Sequence, residues 1–217
     1  MDNQKLIEET IAHVKQVLNG AEAGHDWFHI ERVFQTAQRI NREENGDELV
    51  VALGSLLHDI ADPKFHDGDE ELGPTMAYTF MSSLDIESHV KDHVVNIIRY
   101  ISFKQSFDTT RFDSLELRIV RDADRLDAIG AIGIARAFTY GGFKNRVLFD
   151  PTIPPATFAD KEAYKNATGS TINHFYEKLL LLKDMMHTDT GKRIALQRHN
   201  FMESYLQQFL AEWNSDT

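Results

Sequence analysis

At 217 residues the chain is long enough for one domain with a sizeable core. Its formal charge of -11 and pI near 5.3 set an average surface field that repels polyanions, which excludes general affinity for nucleic acid or an anionic membrane. Cysteine is absent, so disulfides, thiolate metal sites and cysteine nucleophiles are excluded, and the composition fits a reducing compartment.

Helical periodicity recurs along the chain, and strand alternation is almost missing. The opening MDNQKLIEET is acidic and amphipathic, without the basic head and apolar run of a signal peptide. Leu6, Ile7, Ile11, Val14 and Leu18 form the first apolar stripe, closed by Asn19 and Gly20. Asp26 can cap a second helix that carries Ile30, Val33, Phe34, Ala37 and Ile40 and ends at Asn45 and Gly46. A third starts near Asp47 and runs through Leu49, Leu53, Leu56, Leu57 and Ile60 to the break at Pro63. Beyond an acidic, glycine-containing loop the pattern predicts helices over 74–84 and 86–101. The next begins near Ser114, carries Ile119, Ala123 and Leu126, passes Gly130 and Gly133, and stops at Gly141 and Gly142. Residues 143–157, with Pro151, Pro154 and Pro155, form the one long irregular stretch. Two long helices from about Ser170 and Asp189 finish the chain. No apolar run reaches membrane-spanning length; the longest, Leu179 to Leu182, is broken by Lys183 and Asp184. The reading is an all-α, soluble, cytoplasmic chain without repeats or a clear domain linker.

Four metal-seeking side chains stand on these apolar patterns: His29, the adjacent His58 and Asp59, and Asp124 inside DADRLDAIGAIG. Imidazole and carboxylate without thiolate suit a hard or borderline divalent cation that keeps a position free for water or substrate. The bare dipeptide is weak evidence: His-Asp occurs three times, at His25, His58 and His66, where chance gives about one. His58 and Asp59 differ from the others in following the apolar run Val50 to Leu57. A polar pair at the end of a core helix must be hydrogen-bonded, paired or ligating, so mutual capping and metal ligation both remain open. His29 is by the same reasoning either a satisfied packing histidine or a ligand. Asp122 points away from Asp124 and Asp127, which share one helix side at i, i+3, and periodicity cannot choose between those two.

The order His29, His58-Asp59, Asp124, each on a helix, resembles the HD-domain superfamily of metal-dependent phosphohydrolases. The strings GHDWFHIERV, LLHDIAD, HVVNIIRYISFK, DADRLDAIGAIGIARAFTYGG and STINHFYEKLLLLKD are similar to a small bacterial subgroup of it and run from Gly24 to Asp184. The resemblance implies metal ligands at His29, His58, Asp59 and Asp124. It also implies a compact all-helical HD fold with additional C-terminal helices, and a divalent ion, manganese first, with nickel, cobalt, iron, magnesium or zinc as alternatives. It frames residues 1–217 as a single HD-type domain with a core over about 20–140 and a helical C-terminal extension over about 158–214.

Two neutral imidazoles and two carboxylates bring a dication nearly to neutrality and leave octahedral positions for water and a phosphate oxygen. Zinc lowers the pKa of its bound water toward about 7 and manganese does so less, so a second base helps. Asp62 is the candidate, close to where related HD hydrolases carry an acidic residue; a helix-end or turn carboxylate before Pro63 is the alternative. An anionic substrate also needs cations. Arg32 and Lys64 are the expected phosphate contacts, with Lys104, Lys144 and Arg146 as further candidates. His93 is read as a substrate or second-metal contact, or as a hydrogen-bonded histidine, and His174 as packing. No GxSxG, GxxxxGK[ST] or GxGxxG element supports other chemistries.

The expected activity is cleavage of a small phosphate compound, foremost a nucleoside triphosphate to monophosphate and pyrophosphate, by a monomer or homodimer. A phosphodiesterase or 5'-nucleotidase and a non-catalytic nucleotide-binding regulatory module are the alternatives. A two-iron oxygenase on the same fold would need extra histidines, for which His89 and His93 are the nearby candidates.

Overall fold

The computed structural model describes residues 2–20, 26–61, 69–101, 112–156 and 169–216, and all regular structure among them is helical. The helices are α1 (Asn3–Val17), α2 (Trp27–Glu44), α3 (Glu48–Leu57), α4 (Leu72–Ser82), α5 (Ser88–Tyr100), α6 (Leu115–Asp127), α7 (Gly130–Phe143), α8 (Thr171–Glu177) and α9 (Asp189–Trp213), with a 3-10 segment at Leu179–Met185. None is long and apolar enough to cross a membrane. The chain divides into two compact units, Met1–Asp124 and Arg125–Thr217.

In the first unit, local chemistry sets where each site-bearing helix begins. The Asp26 carboxylate accepts from the His29 N–H at 3.0 Å, capping α2, and the Asp47 carboxylate accepts from the Val50 N–H at 2.9 Å, capping α3. Between them α2 ends at Asn45, in the left-handed region with φ 61°. Asn41 locks this turn: its amide oxygen accepts from the Gly46 N–H at 2.9 Å and its nitrogen donates to the Gly46 carbonyl at 3.2 Å. The helix that follows is buried at every position from Val50 to Leu57 and packs against α1, α2 and α5. Leu53, Leu56 and Leu57 are wholly inaccessible, each worth about 1.5–3 kcal/mol of burial. A helix covered this thoroughly gives the residues at its end little freedom.

In the second unit, α7 packs on α8 and α9, and the 3-10 segment packs on the same two helices. Its core holds Ile172, Phe175, Ile194, Ala195, Met202 and Leu206. Phe138, Phe175, Tyr205, Phe209 and Trp213 form a run of ring contacts with centroids 6.0–6.3 Å apart.

Several boundaries depart from the sequence pattern: α3, expected to run through Ile60, ends at Leu57, and residues 58–61 form a turn. The single helix expected from Ser114 to Gly142 is two, because Ile129 is extended and Gly130 turns to φ 78°, a conformation that costs an L side chain and resets the helix axis. Gly141 lies buried inside α7 rather than ending it, and α7 runs on to Phe143. The long helix expected from Ser170 stops at Glu177 and passes into the 3-10 segment, an interruption that the apolar run Leu179 to Leu182 conceals from a periodicity count.

Candidate metal centre

His29 lies in the first turn of α2 and is 2% exposed, and His58 follows the last residue of α3 and is 8% exposed. The His58 Nδ1 is 2.8 Å from the Ser55 carbonyl oxygen. A carbonyl only accepts, so Nδ1 carries the proton and donates, which leaves a lone pair on Nε2. That Nε2 is buried and has no hydrogen-bond partner among the described residues. Leaving such an atom unsatisfied costs about 1–3 kcal/mol.

What faces it is a carboxylate. The Asp124 Oδ1 on α6 is 3.8 Å from His58 Nε2 and 3.6 Å from His29 Nε2. The two rings meet nearly edge to face, 5.4 Å between centroids. Asp59, half-buried, completes the group: one donor atom each from His29, His58 and Asp59 lie within 4.8 Å of one another. Donors about 2.1 Å from a shared ion sit roughly 3 Å apart when cis and roughly 4.2 Å apart when trans. The two imidazole-to-Asp124 separations fall inside that range. The Asp124 side chain is 41% exposed, so the group opens to solvent on that side. An orphaned buried lone pair, a second buried imidazole and two carboxylates fit a divalent cation.

The geometry also separates the three aspartates of α6. Asp122 is fully buried, Asp127 is 4% exposed and pairs with the Arg136 guanidinium, and Asp124 lies beside both imidazoles. The Arg136 guanidinium that engages Asp127 lies nearly two turns into α7.

Arg32 is half-buried on α2, one turn beyond His29. Asp62, Lys64 and Lys104 lie outside the described residues. His93 on α5 is engaged at Nε2, 2.9 Å from Ser114 Oγ and 3.4 Å from Glu116 Oε2. His89, which a second iron would need, has a side chain 74% exposed and sits 3.2 Å from Glu87. Lys144 and Arg146 belong to the second unit, where both cations lie 5.7 Å from the Tyr140 ring centroid. His174 is largely buried there, and desolvation, then the charges of Lys178 and Arg146, lower its pKa to about 4, as suits a packing role.

Sequence reasoning passes over Ser55, whose carbonyl meets His58, and Glu116, whose carboxylate meets the Asp47 N–H and His93. Ser55 contributes only its backbone carbonyl, which any residue supplies, so no sequence signal marks it. Glu116 sits in a first helical turn, where an acidic residue is ordinary.

A family model for the HD domain matches residues 27–129. The uncharacterized protein YpgQ of Bacillus subtilis (strain 168) is 36% identical over 209 residues, covering 96% of this chain and 94% of the relative. A crystal structure of an HD-superfamily hydrolase from Bacillus thuringiensis is 41% identical, covers 98% of this chain and 99% of its own, and superposes with a TM-score of 0.79. A crystal structure of Bacillus subtilis YpgQ in complex with ADP is 36% identical, covers 98% and 96% of the two chains, and gives 0.77.

Proposed function

This chain belongs to the HD-domain family and is a metal-dependent phosphohydrolase; from that premise we propose that it splits a nucleoside triphosphate into monophosphate and pyrophosphate, with manganese as its resident ion. The observation that carries the metal reading is the buried, unpartnered His58 Nε2 facing a second imidazole and the Asp124 carboxylate. The ADP held by YpgQ supports a nucleotide as ligand.

His29, His58, Asp59 and Asp124 are the proposed ligands. The Ser55 carbonyl keeps the proton on His58 Nδ1 and so keeps Nε2 available, the outer-shell contact that metal-binding histidines characteristically make. When bound, a divalent ion supplies Lewis acidity, drawing electron density from phosphorus and making water more acidic. Asp124, exposed on one side, leaves an approach for phosphate. Arg32, on the same helix as His29, grips a phosphate oxygen in this reading, with Lys64, Lys104, Lys144 and Arg146 as further phosphate contacts. Asp62 takes the proton of the attacking water as its oxygen bonds to the α-phosphorus. The bond from that phosphorus to the bridging oxygen breaks, and pyrophosphate leaves.

A nucleotide panel with added manganese, resolved by product, tests this. Nucleoside monophosphate plus pyrophosphate, lost in His58→Ala, is the expected result. Activity surviving that substitution would count against the site. Release of orthophosphate and nucleoside, or cleavage of diesters only, would place the enzyme with the 5'-nucleotidases or phosphodiesterases. Tight metal-dependent nucleotide binding with no product over hours would make it a regulatory module.

A further inference from the structure

Glu116 stands outside the group of ligands, yet its carboxylate joins three helices of the first unit. One oxygen accepts from the Asp47 N–H, at the start of α3, at 3.0 Å, and the other lies 3.4 Å from His93 Nε2 on α5. His93 Nε2 is also 2.9 Å from Ser114 Oγ, and that hydroxyl accepts from the Leu117 N–H at 3.1 Å, capping the first turn of α6. The Glu116 side chain is 13% exposed.

The consequence lies at the other ends of the helices. α3 begins beside Glu116 and ends at Leu57, immediately before His58 and Asp59, while α6 carries Glu116 in its first turn and Asp124 two turns later, roughly 12 Å along the axis. Midway the two approach closely: a Cβ on Gly54 would sit 3.5 Å from Val120 Cγ2 and 3.2 Å from Ile97 Cδ1. Both helices therefore start at Glu116, pass at Gly54, and end with the residues that face the same space. A slide of α6 by one residue would move Asp124 about 1.5 Å along that axis, enough to spoil donor separations fixed to a few tenths of an ångström.

We infer that Glu116, held by the Asp47 N–H and His93, is a positioning residue that sets the register of α6 against α3 and so delivers Asp124 to the imidazoles. This rests on the metal reading above. The test is manganese affinity from EPR titration, with the visible bands of the cobalt-substituted protein as a report on ligand geometry. Glu116→Ala is expected to weaken manganese binding roughly ten- to hundredfold, the range for outer-shell partners, and to shift the cobalt bands. Glu116→Gln, which keeps an acceptor for the Asp47 N–H, restores most of both. Glu71→Gln, which breaks the surface pair with Arg99, is the control that perturbs an ion pair with manganese affinity unchanged. A folded Glu116→Ala protein with wild-type affinity and bands overturns the proposal, as does a loss of affinity equalled by Glu71→Gln. Should Glu116→Ala not fold, His93→Gln is read the same way, and wild-type values there overturn it. A wild-type protein that binds no metal overturns the metal reading together with this one, whereas wild-type binding with unaltered variants overturns this one alone.

Discussion

In the first unit His29 and His58 are buried with their Nε2 atoms 3.6 and 3.8 Å from the Asp124 carboxylate, whereas in the second the largely buried His174 lies near the cations Lys178 and Arg146. The same residue type, withdrawn from solvent in both units, thus meets opposite charge. Beside a carboxylate, a neutral imidazole with a free lone pair can share a cation; beside cations it is held neutral and can only pack. His199 makes the distinction sharper. Its Nδ1 is also buried without a hydrogen-bond partner among the described residues, but its Nε2 is 3.2 Å from the Lys183 ammonium as well as 3.2 Å from Glu203. An orphaned ring nitrogen becomes a ligand candidate only when the charges around it favour a cation.

The largest effect expected from this contrast is on turnover. Asp124→Ala should lower manganese-dependent hydrolysis at least roughly a hundredfold, because the transition-state charge stabilisation of a metal is several kcal/mol. Asp127→Asn, three residues away and paired with Arg136, should lower Tm and leave the manganese requirement intact. Equal losses of activity in the two would erase the difference between them.

Next comes the pH dependence of stability. His174 has a folded pKa of about 4 against an ordinary 6.5, so the unfolded chain takes up the proton first as pH falls. Its contribution is absent above pH 6.5 and destabilises the native state progressively down to about pH 4, by up to roughly 3 kcal/mol. Urea unfolding across that window should show His174→Gln losing less stability than the wild type on acidification. A parallel decline in both would mean that burial beside Lys178 and Arg146 does not govern the residue.

A smaller effect belongs to the break between α6 and α7. Gly130→Ala should cost about 1–2 kcal/mol, since φ there is 78° and the new Cβ would lie 2.9 Å from Arg198 Cγ. Thermal unfolding measures it; an unchanged Tm would show that the turn relaxes freely.

These differences trace how much was legible beforehand. The capped starts of α2 and α3 at Asp26 and Asp47 were readable because capping is local. The all-helical class followed from periodicity, whereas the proposed ligand set rests on motif resemblance, which implies Asp124 where helical spacing alone leaves Asp127 open. The break at Gly130 was hidden because one glycine in an apolar pattern reads equally as helix or turn until its φ is known. The Asp127 partner on α7 and the Glu116 contacts with Asp47 and His93 were hidden for another reason. They join residues distant in sequence, and single-sequence spacing carries no record of such meetings.

The central claim is that His29, His58, Asp59 and Asp124 close around one divalent ion. Anomalous diffraction at the manganese edge, from a crystal soaked with manganese and a non-hydrolysable nucleotide, tests it most directly. The account predicts one peak about 2.1–2.3 Å from His29 Nε2, His58 Nε2 and an oxygen of each aspartate, with a phosphate oxygen on its open side. A peak elsewhere, or none among these four residues in protein that turns over nucleotide, would contradict it.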